Sequence, residues 1–257
     1  MLKPRSIAVS GKGGAGKTAL TAIMAKILAE GARRRKILLI DADPAGGLTN
    51  ALGVSVGMTI GEIREDVIRT ARKGDREEKK QIANTLDYMI MEALAELKSF
   101  SLLAMGRPEA TGCFCPVNDL LRGAIEMLLD NFDLVLIDGE AGLEQINRQV
   151  IRSVDSLLIV TDPSRRGIQT AVSIKGIVET HQLVKSQQMA LVMNRVRGAV
   201  EDMEEAARKV ELKLAGYIPE DENISRFDSM GKPLLDLPGA SPGVLAVQGI
   251  LNKLRMI

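Results

Sequence analysis

The chain has 257 residues, a 46% apolar fraction and a formal net charge of +1 at pH 7, which together admit a globular core but no long-range pull toward nucleic acid or anionic lipid. No apolar run reaches the length of a membrane span, tryptophan is absent and tyrosine and phenylalanine are few, which leaves little for stacking on single-stranded bases. Two cysteines without an export signal point to a reducing cytoplasm and not to a disulfide scaffold.

The first predicted element is a buried parallel strand over Ile7–Ser10, and it runs into Gly11-Lys12-Gly13-Gly14-Ala15-Gly16-Lys17-Thr18. Strand, glycine-rich turn and helix start satisfy G-x-x-x-x-G-K-S/T in the context that a phosphate-binding loop requires. Glycines let the main chain approach a phosphate, and the helix end that follows offers unpaired N–H groups. Lys17 is expected on the β- and γ-phosphates of ATP or ADP, and Thr18 on magnesium (Mg2+). A helix is expected over Thr18–Glu30, with Leu20, Ile23, Met24 and Ile27 on one face and Gly31 at its end. The basic run Arg33–Lys36 reads as a solvated corner.

The second strand, Ile37–Ile40, ends in Asp41-Ala42-Asp43-Pro44. From about 58 to 112 the character changes to dense charge followed by a helical period through Ile82, Leu86, Met89, Ile90, Ala93, Leu94 and Leu97, which predicts one or two helices inserted beside the sheet. A Gly/Pro-bearing loop, 106–116, holds Cys113 and Cys115, and a helix resumes over Val117–Leu129. Further strands are expected at Leu134–Ile137, Ser156–Val160, Met189–Met193 and Leu214–Ile218, with helices at Gly167–Leu183, Glu201–Val210 and Gly243–Leu254. The alternation predicts one α/β domain over 1–257 with a mostly parallel, doubly wound sheet covered by helices on both faces, and ligands gathered at the carboxyl ends of its strands. His181, among apolar neighbours in a helix, reads as structural.

Phosphoryl transfer needs charge neutralised on the phosphates and a water held in line. Lys12, Lys17 and Thr18 serve the first need. Asp138, after an apolar strand, looks like the Walker B carboxylate of the magnesium shell, assisted by Asp41, and Asp43 is the candidate to orient the attacking water. Two thiolates two residues apart, Cys113 and Cys115, can face one way from an extended segment. A twofold dimer would bring two such pairs together, a four-thiolate set that suits zinc (Zn2+) or nickel (Ni2+).

The second lysine, Lys12, gives K-G-G-x-G-K-S/T, the deviant Walker A loop, and resembles the MinD, ParA, nitrogenase iron protein and metal-centre assembly ATPases. That resemblance implies a P-loop ATPase that hydrolyses ATP as a homodimer, with Lys12 reaching the partner's nucleotide, Asp43 in the hydrolytic first switch and Asp138-Gly139-Glu140-Ala141-Gly142-Leu143-Glu144 as the second switch. It also implies that Asn194 reads the adenine while Arg195, Pro219 and Glu220 flank it; Ala19, counted with the loop's nucleotide contacts, departs from many relatives, which repeat the hydroxyl there. Together with C-x-C-P in a glycine-bearing loop before a helix, the chain is similar to the CooC-type accessory ATPases. These mature carbon monoxide dehydrogenase or acetyl-CoA synthase, so nickel held between paired C-x-C motifs and a nickel-enzyme client follow as expectations. Two other classes compete: spatial organisers of the MinD or ParA kind, and iron–sulfur electron transfer as in the nitrogenase iron protein.

Overall fold

The structure is a computed structural model that describes residues 5–31, 34–73, 85–107, 115–139, 153–181, 185–197 and 200–257. The first half runs β1 (Arg5–Gly11), α1 (Lys17–Glu30), β2 (Ile37–Asp41), α2 (Gly47–Leu52), α3 (Ile60–Lys73), α4 (85–92), β3 (Ala95–Glu96), β4 (Ser101–Ala104) and α5 (Cys115–Leu129). The second half runs β5 (Leu134–Asp138), β6 (Ser153–Thr161), α6 (Arg165–His181), β7 (Lys185–Val196), α7 (Val200–Val210), β8 (Lys213–Pro219), α8 (Glu222–Ser229), a 3-10 turn (Leu234–Asp236) and α9 (Pro242–Lys253).

The strands form one sheet in the order β3-β4-β2-β5-β1-β6-β7-β8, parallel throughout except for β3, which pairs antiparallel with β4. The central strands are apolar along their whole length because both faces are covered. Side chains still alternate: Ala8, Leu38 and Ile40 pack under α3, α4, α5, α6 and α7, whereas Ile7, Val9 and Leu39 pack under α1, α2, α8 and α9. Helix α1 is buried nearly all round, from Leu20 through Leu28 with Ile27 half-buried, because it lies between the sheet, α2, α9 and the 3-10 turn. Its one buried charge, Lys26, is neutralised by Glu30 and donates to the carbonyl of Leu235 at 2.8 Å. Among the described residues, no helix is long and apolar enough to cross a membrane.

The doubly wound parallel sheet matches the expectation, but the stretch before residue 105 corrects it. Helices α3 and α4 are present, yet Leu94 and Leu97 do not continue them. The chain instead turns at Leu97, whose N–H donates to the carbonyl of Phe100 at 2.9 Å, and adds β3 and β4 to the sheet. Leu102 and Leu103 are fully buried beside β2, and a short apolar run of this kind has no period that separates strand from helix. A second correction concerns the C-x-C segment. Cys115 opens α5 and is not in an extended stretch, with Pro116 in the first turn, where its missing N–H costs nothing. Cys113 lies outside the described residues, as do Glu140 to Glu144 of the second switch.

Strand β1 is central: its own crossover, through α1, leads to β2 on one side, whereas that of its neighbour β6, through α6, leads to β7 on the other. The carboxyl ends of β1, β2, β5, β6 and β7 therefore bring Gly11, Asp41, Asp138, Thr161 and Asn194 to one rim of the sheet, at its topological switch point.

Candidate functional site: a nucleotide-binding rim

The loop from Gly11 to Gly16 is bent by glycines at two positions where nothing else fits. Gly11 has φ +149°, and a Cβ there would lie 2.0 Å from the carbonyl oxygen of Val160 on β6. Gly16 has φ +88°, and a Cβ would lie 2.2 Å from Nδ2 of Asn194. The loop is closed by the N–H of Ala15 donating to the carbonyl of Lys12 at 3.1 Å. Helix α1 then starts at Lys17 with no side-chain cap. An uncapped helix start presents unpaired N–H groups and the positive end of the helix dipole, an arrangement that suits phosphate. Gly13 and Gly14 face open space, with no heavy atom within 4 Å of where a methyl would stand.

Lys17 Nζ donates to the carbonyls of Gly11 at 3.4 Å and Lys12 at 3.3 Å, folded over the loop it would share with a phosphate. Thr18 Oγ1 donates to Asp138 Oδ2 at 2.7 Å, and Thr21 Oγ1 approaches Asp138 Oδ1 at 3.3 Å. Asp138 is 1% exposed. Burial pushes its carboxyl up to about 7, reinforced by the charge of Asp41 and opposed by Thr18, Lys17 and Thr21. Such a carboxylate gains most from an added cation. Asp41, the residue paired in register with Asp138 across β2 and β5, accepts from the N–H of Thr49 at 2.8 Å and its Oγ1 at 2.7 Å. Burial still leaves its carboxyl above the usual range despite these bonds. Asp43 stands a turn beyond, half-buried, its Oδ1 accepting from the N–H of Ala45 at 2.9 Å. A Cβ at Gly47 would be 3.4 Å from both Asp43 Oδ2 and Thr18 Oγ1, so these two groups flank one small residue. Thr18, Asp138, Asp41 and Asp43 are therefore drawn together, whereas they are separated by up to 120 positions in the chain.

Other expected residues take positions that the sequence did not disclose. Asn194 is buried, and its Nδ2 donates to the carbonyl of Ala15 at 2.7 Å while its Oδ1 accepts from the N–H of Arg195 at 2.9 Å. It braces the loop from behind, which explains why position 16 admits only glycine. Arg195 is exposed, with φ +56°. Glu220, after Pro219 at the end of β8, is paired with Arg197 through two hydrogen bonds, and the charge of Arg195 adds a lesser attraction. That pairing outweighs the opposing effect of burial and holds the Glu220 carboxyl below its usual range. Lys12 Nζ is 2.7 Å from Asp162 Oδ2, just past β6. Ala19 lies half-buried against the core on the α1 side of the sheet. Three contributors had no role assigned from the sequence: Thr21 and Thr49, which hold the two buried aspartates, and Asp162. The only hint of Thr21 was a polar residue inside an otherwise apolar helix face.

Among the described residues, no three of His, Cys, Asp and Glu converge in a way that could hold a metal ion. The residues that fit magnesium are thus the single hydroxyl of Thr18 and the carboxylate of Asp138, a sparse oxygen set that suits an ion keeping several waters and phosphate oxygens.

Comparison with known proteins gives consistent results. The chain is 39% identical to an uncharacterized ATP-binding protein of Methanocaldococcus jannaschii over 96% of this chain and 97% of that one. It is 30% identical to the carbon monoxide dehydrogenase accessory protein CooC of Rhodospirillum rubrum over 91% of this chain and 90% of that one. The crystal structure of the cell division ATPase MinD of Pyrococcus furiosus superposes with a TM-score of 0.69 at 25% identity, covering 98% of each chain. The profile of the CobQ/CobB/MinD/ParA nucleotide-binding domain matches residues 6–234, and with the loop, the buried aspartate and the sheet order all in place, the chain belongs to that family.

Proposed function

We propose that the chain is an ATPase that dimerises on binding ATP and serves as a metallochaperone, inserting nickel into carbon monoxide dehydrogenase or acetyl-CoA synthase. The observation that carries the ATPase reading is the Thr18–Asp138 contact at the uncapped start of α1, with Lys17 poised over the same loop. In this reading Lys17 and the N–H groups of the α1 start bind the β- and γ-phosphates. Thr18 and Asp138 hold magnesium, with Asp41 steadying the shell, and that ion neutralises phosphate charge when bound. Asp43 orients the attacking water, and Lys12 serves the nucleotide of the partner subunit. Gly11 to Ala19 form the cradle, and Arg195, Pro219 and Glu220 border the base with Asn194 behind the loop. One domain carries all of this, and its 58–112 segment leads into the C-x-C.

The metal half of the reading is supported by the likeness to CooC over nine-tenths of both chains, together with the C-x-C at Cys113 and Cys115. Two C-x-C pairs, one from each subunit, would supply four thiolates for nickel or zinc as cargo. Metal analysis of the purified protein with and without nucleotide tests it. The wild type is expected to hold about one ion per dimer, and a Cys113→Ser, Cys115→Ser variant to hold none while still binding ATP, on the four-thiolate geometry. Retention of the ion by the double variant would remove the site.

A second reading, a spatial organiser of the MinD kind, is favoured by the full-length match to a MinD structure. Vesicle pelleting that depends on ATP would support it over metal delivery.

A further inference from the structure

Lys12 does not point away from its own subunit. Its ammonium is 2.7 Å from Asp162 Oδ2, and both side chains are about one-third exposed or less, 32% and 27%. Asp162 is itself fixed: its Oδ1 accepts from the N–H of Ser164 at 3.0 Å and from the Ser164 hydroxyl, and its carbonyl receives the hydroxyl of Thr161 at 3.2 Å. The segment also packs closely on the start of α6, where only a glycine fits: a Cβ at Gly167 would sit 2.4 Å from the Asp162 carbonyl oxygen. Burial opposes ionisation of Asp162, yet the Lys12 and Ser164 hydrogen bonds outweigh it and keep the carboxyl below its ordinary range. A charged acceptor held by Ser164 thus stands beside a long flexible cation, and the lysine is the partner with the freer side chain.

A single ammonium cannot serve Asp162 and a phosphate on another subunit at once. A ligand or partner shifts an equilibrium only by its differential interaction with the two states, so each Lys12–Asp162 contact stabilises the separated subunits relative to the dimer. We propose that Asp162 is a positioning residue that parks Lys12 in cis and thereby opposes ATP-driven association, so that the chain stays apart until nucleotide on a second copy outcompetes it. This rests on the dimer reading above and assigns its threshold to one carboxylate.

Two measurements on the full chain test it. In the nucleotide-free protein, brief acylation with limiting reagent and peptide mass spectrometry should show faster labelling of Lys12 in Asp162→Asn than in wild type. Sedimentation velocity with magnesium and a non-hydrolysable ATP analogue should then give a tighter dimer for Asp162→Asn. A part-exposed pair is worth at most about a fivefold change and two are released per dimer, so the dissociation constant should fall by roughly two- to thirtyfold. The gain should vanish when Lys12 is replaced as well, and Asp162→Ser should reproduce it if the amide disturbs the Ser164 contacts. Unchanged Lys12 labelling, or a wild type that dimerises while Asp162→Asn dimerises no better, overturns the inference and leaves the dimer reading intact. No association in either protein overturns the dimer reading and the inference with it.

Discussion

Replacing Asp138 by Asn should make the nucleotide-free protein more stable, although it removes a central residue of the site. The reason is the cost of an ionised carboxylate that is 1% exposed and faces Asp41 across one strand pair. Its carboxyl is displaced from 3.8 to about 7, chiefly by burial, and Lys17, Thr18 and Thr21 only partly offset this. A displacement of that size corresponds to about 4 kcal/mol of penalty on the charged form, of which relaxation of the site should leave about 2–4 kcal/mol. The asparagine keeps a carbonyl for one threonine, and the hydroxyl of the other can rotate to accept from the amide. In sign, a folded-state value above the unfolded one means that the native protein binds the extra proton. The penalty is therefore absent below pH 3.8, grows as pH rises, and is complete above about pH 7. Thermal unfolding of Asp138→Asn and wild type should differ by about 4–16 °C at pH 8 in favour of the variant, and by less than half of that at pH 5. Mg-ATP at a thousand times its dissociation constant should reverse the order, because it adds about 4.1 kcal/mol to the protein that binds it, at least the whole of that penalty. Equal stability at pH 8, or an advantage that does not shrink toward pH 5, would show that Asp138 is not held against its charge and would refute the argument.

Three further outcomes follow from the same rim. Gly16→Ala places a methyl 2.2 Å from Asn194 Nδ2 at a backbone φ of +88°, so it should destabilise the fold by about 1–3 kcal/mol and abolish nucleotide binding, read by melting and by equilibrium titration. Asn194→Ala leaves the Ala15 carbonyl without its donor, at a cost of about 1–3 kcal/mol, and should weaken ATP binding more than it slows turnover of bound ATP; a change in kcat alone would contradict the bracing role. Asp43→Ala should retain ATP binding, accumulate the ATP-bound dimer and lower steady-state turnover, and normal turnover would take Asp43 out of the hydrolytic step.

What the sequence disclosed and what it withheld divide along chain distance. The loop from Gly11 to Thr18 and the strand-ending Asp138 are each written in a handful of adjacent residues, because a phosphate cradle needs strand, turn and helix in immediate succession. The doubly wound sheet was equally legible, since its central strands are apolar on both faces and separated by helical periods. Strand β4 was not: a four-residue strand with Leu102, Leu103 and Ala104 buried in succession carries no alternation, and the charged, helix-forming segment before it drew the reading toward helix. The contacts that tune the loop were invisible for a different reason. Asn194 to Ala15 spans 179 positions and Lys12 to Asp162 spans 150, and no local pattern encodes a partner so far away. An asparagine ending a strand suggested a base reader, and Asp162, just past another strand, carried no assignment at all. Only the fold shows that β6 and β7, lying side by side next to β1, turn both residues onto the same phosphate loop. The motif therefore specifies what the loop can bind, whereas the neighbouring strands brace that loop through Asn194 and hold Lys12 through Asp162.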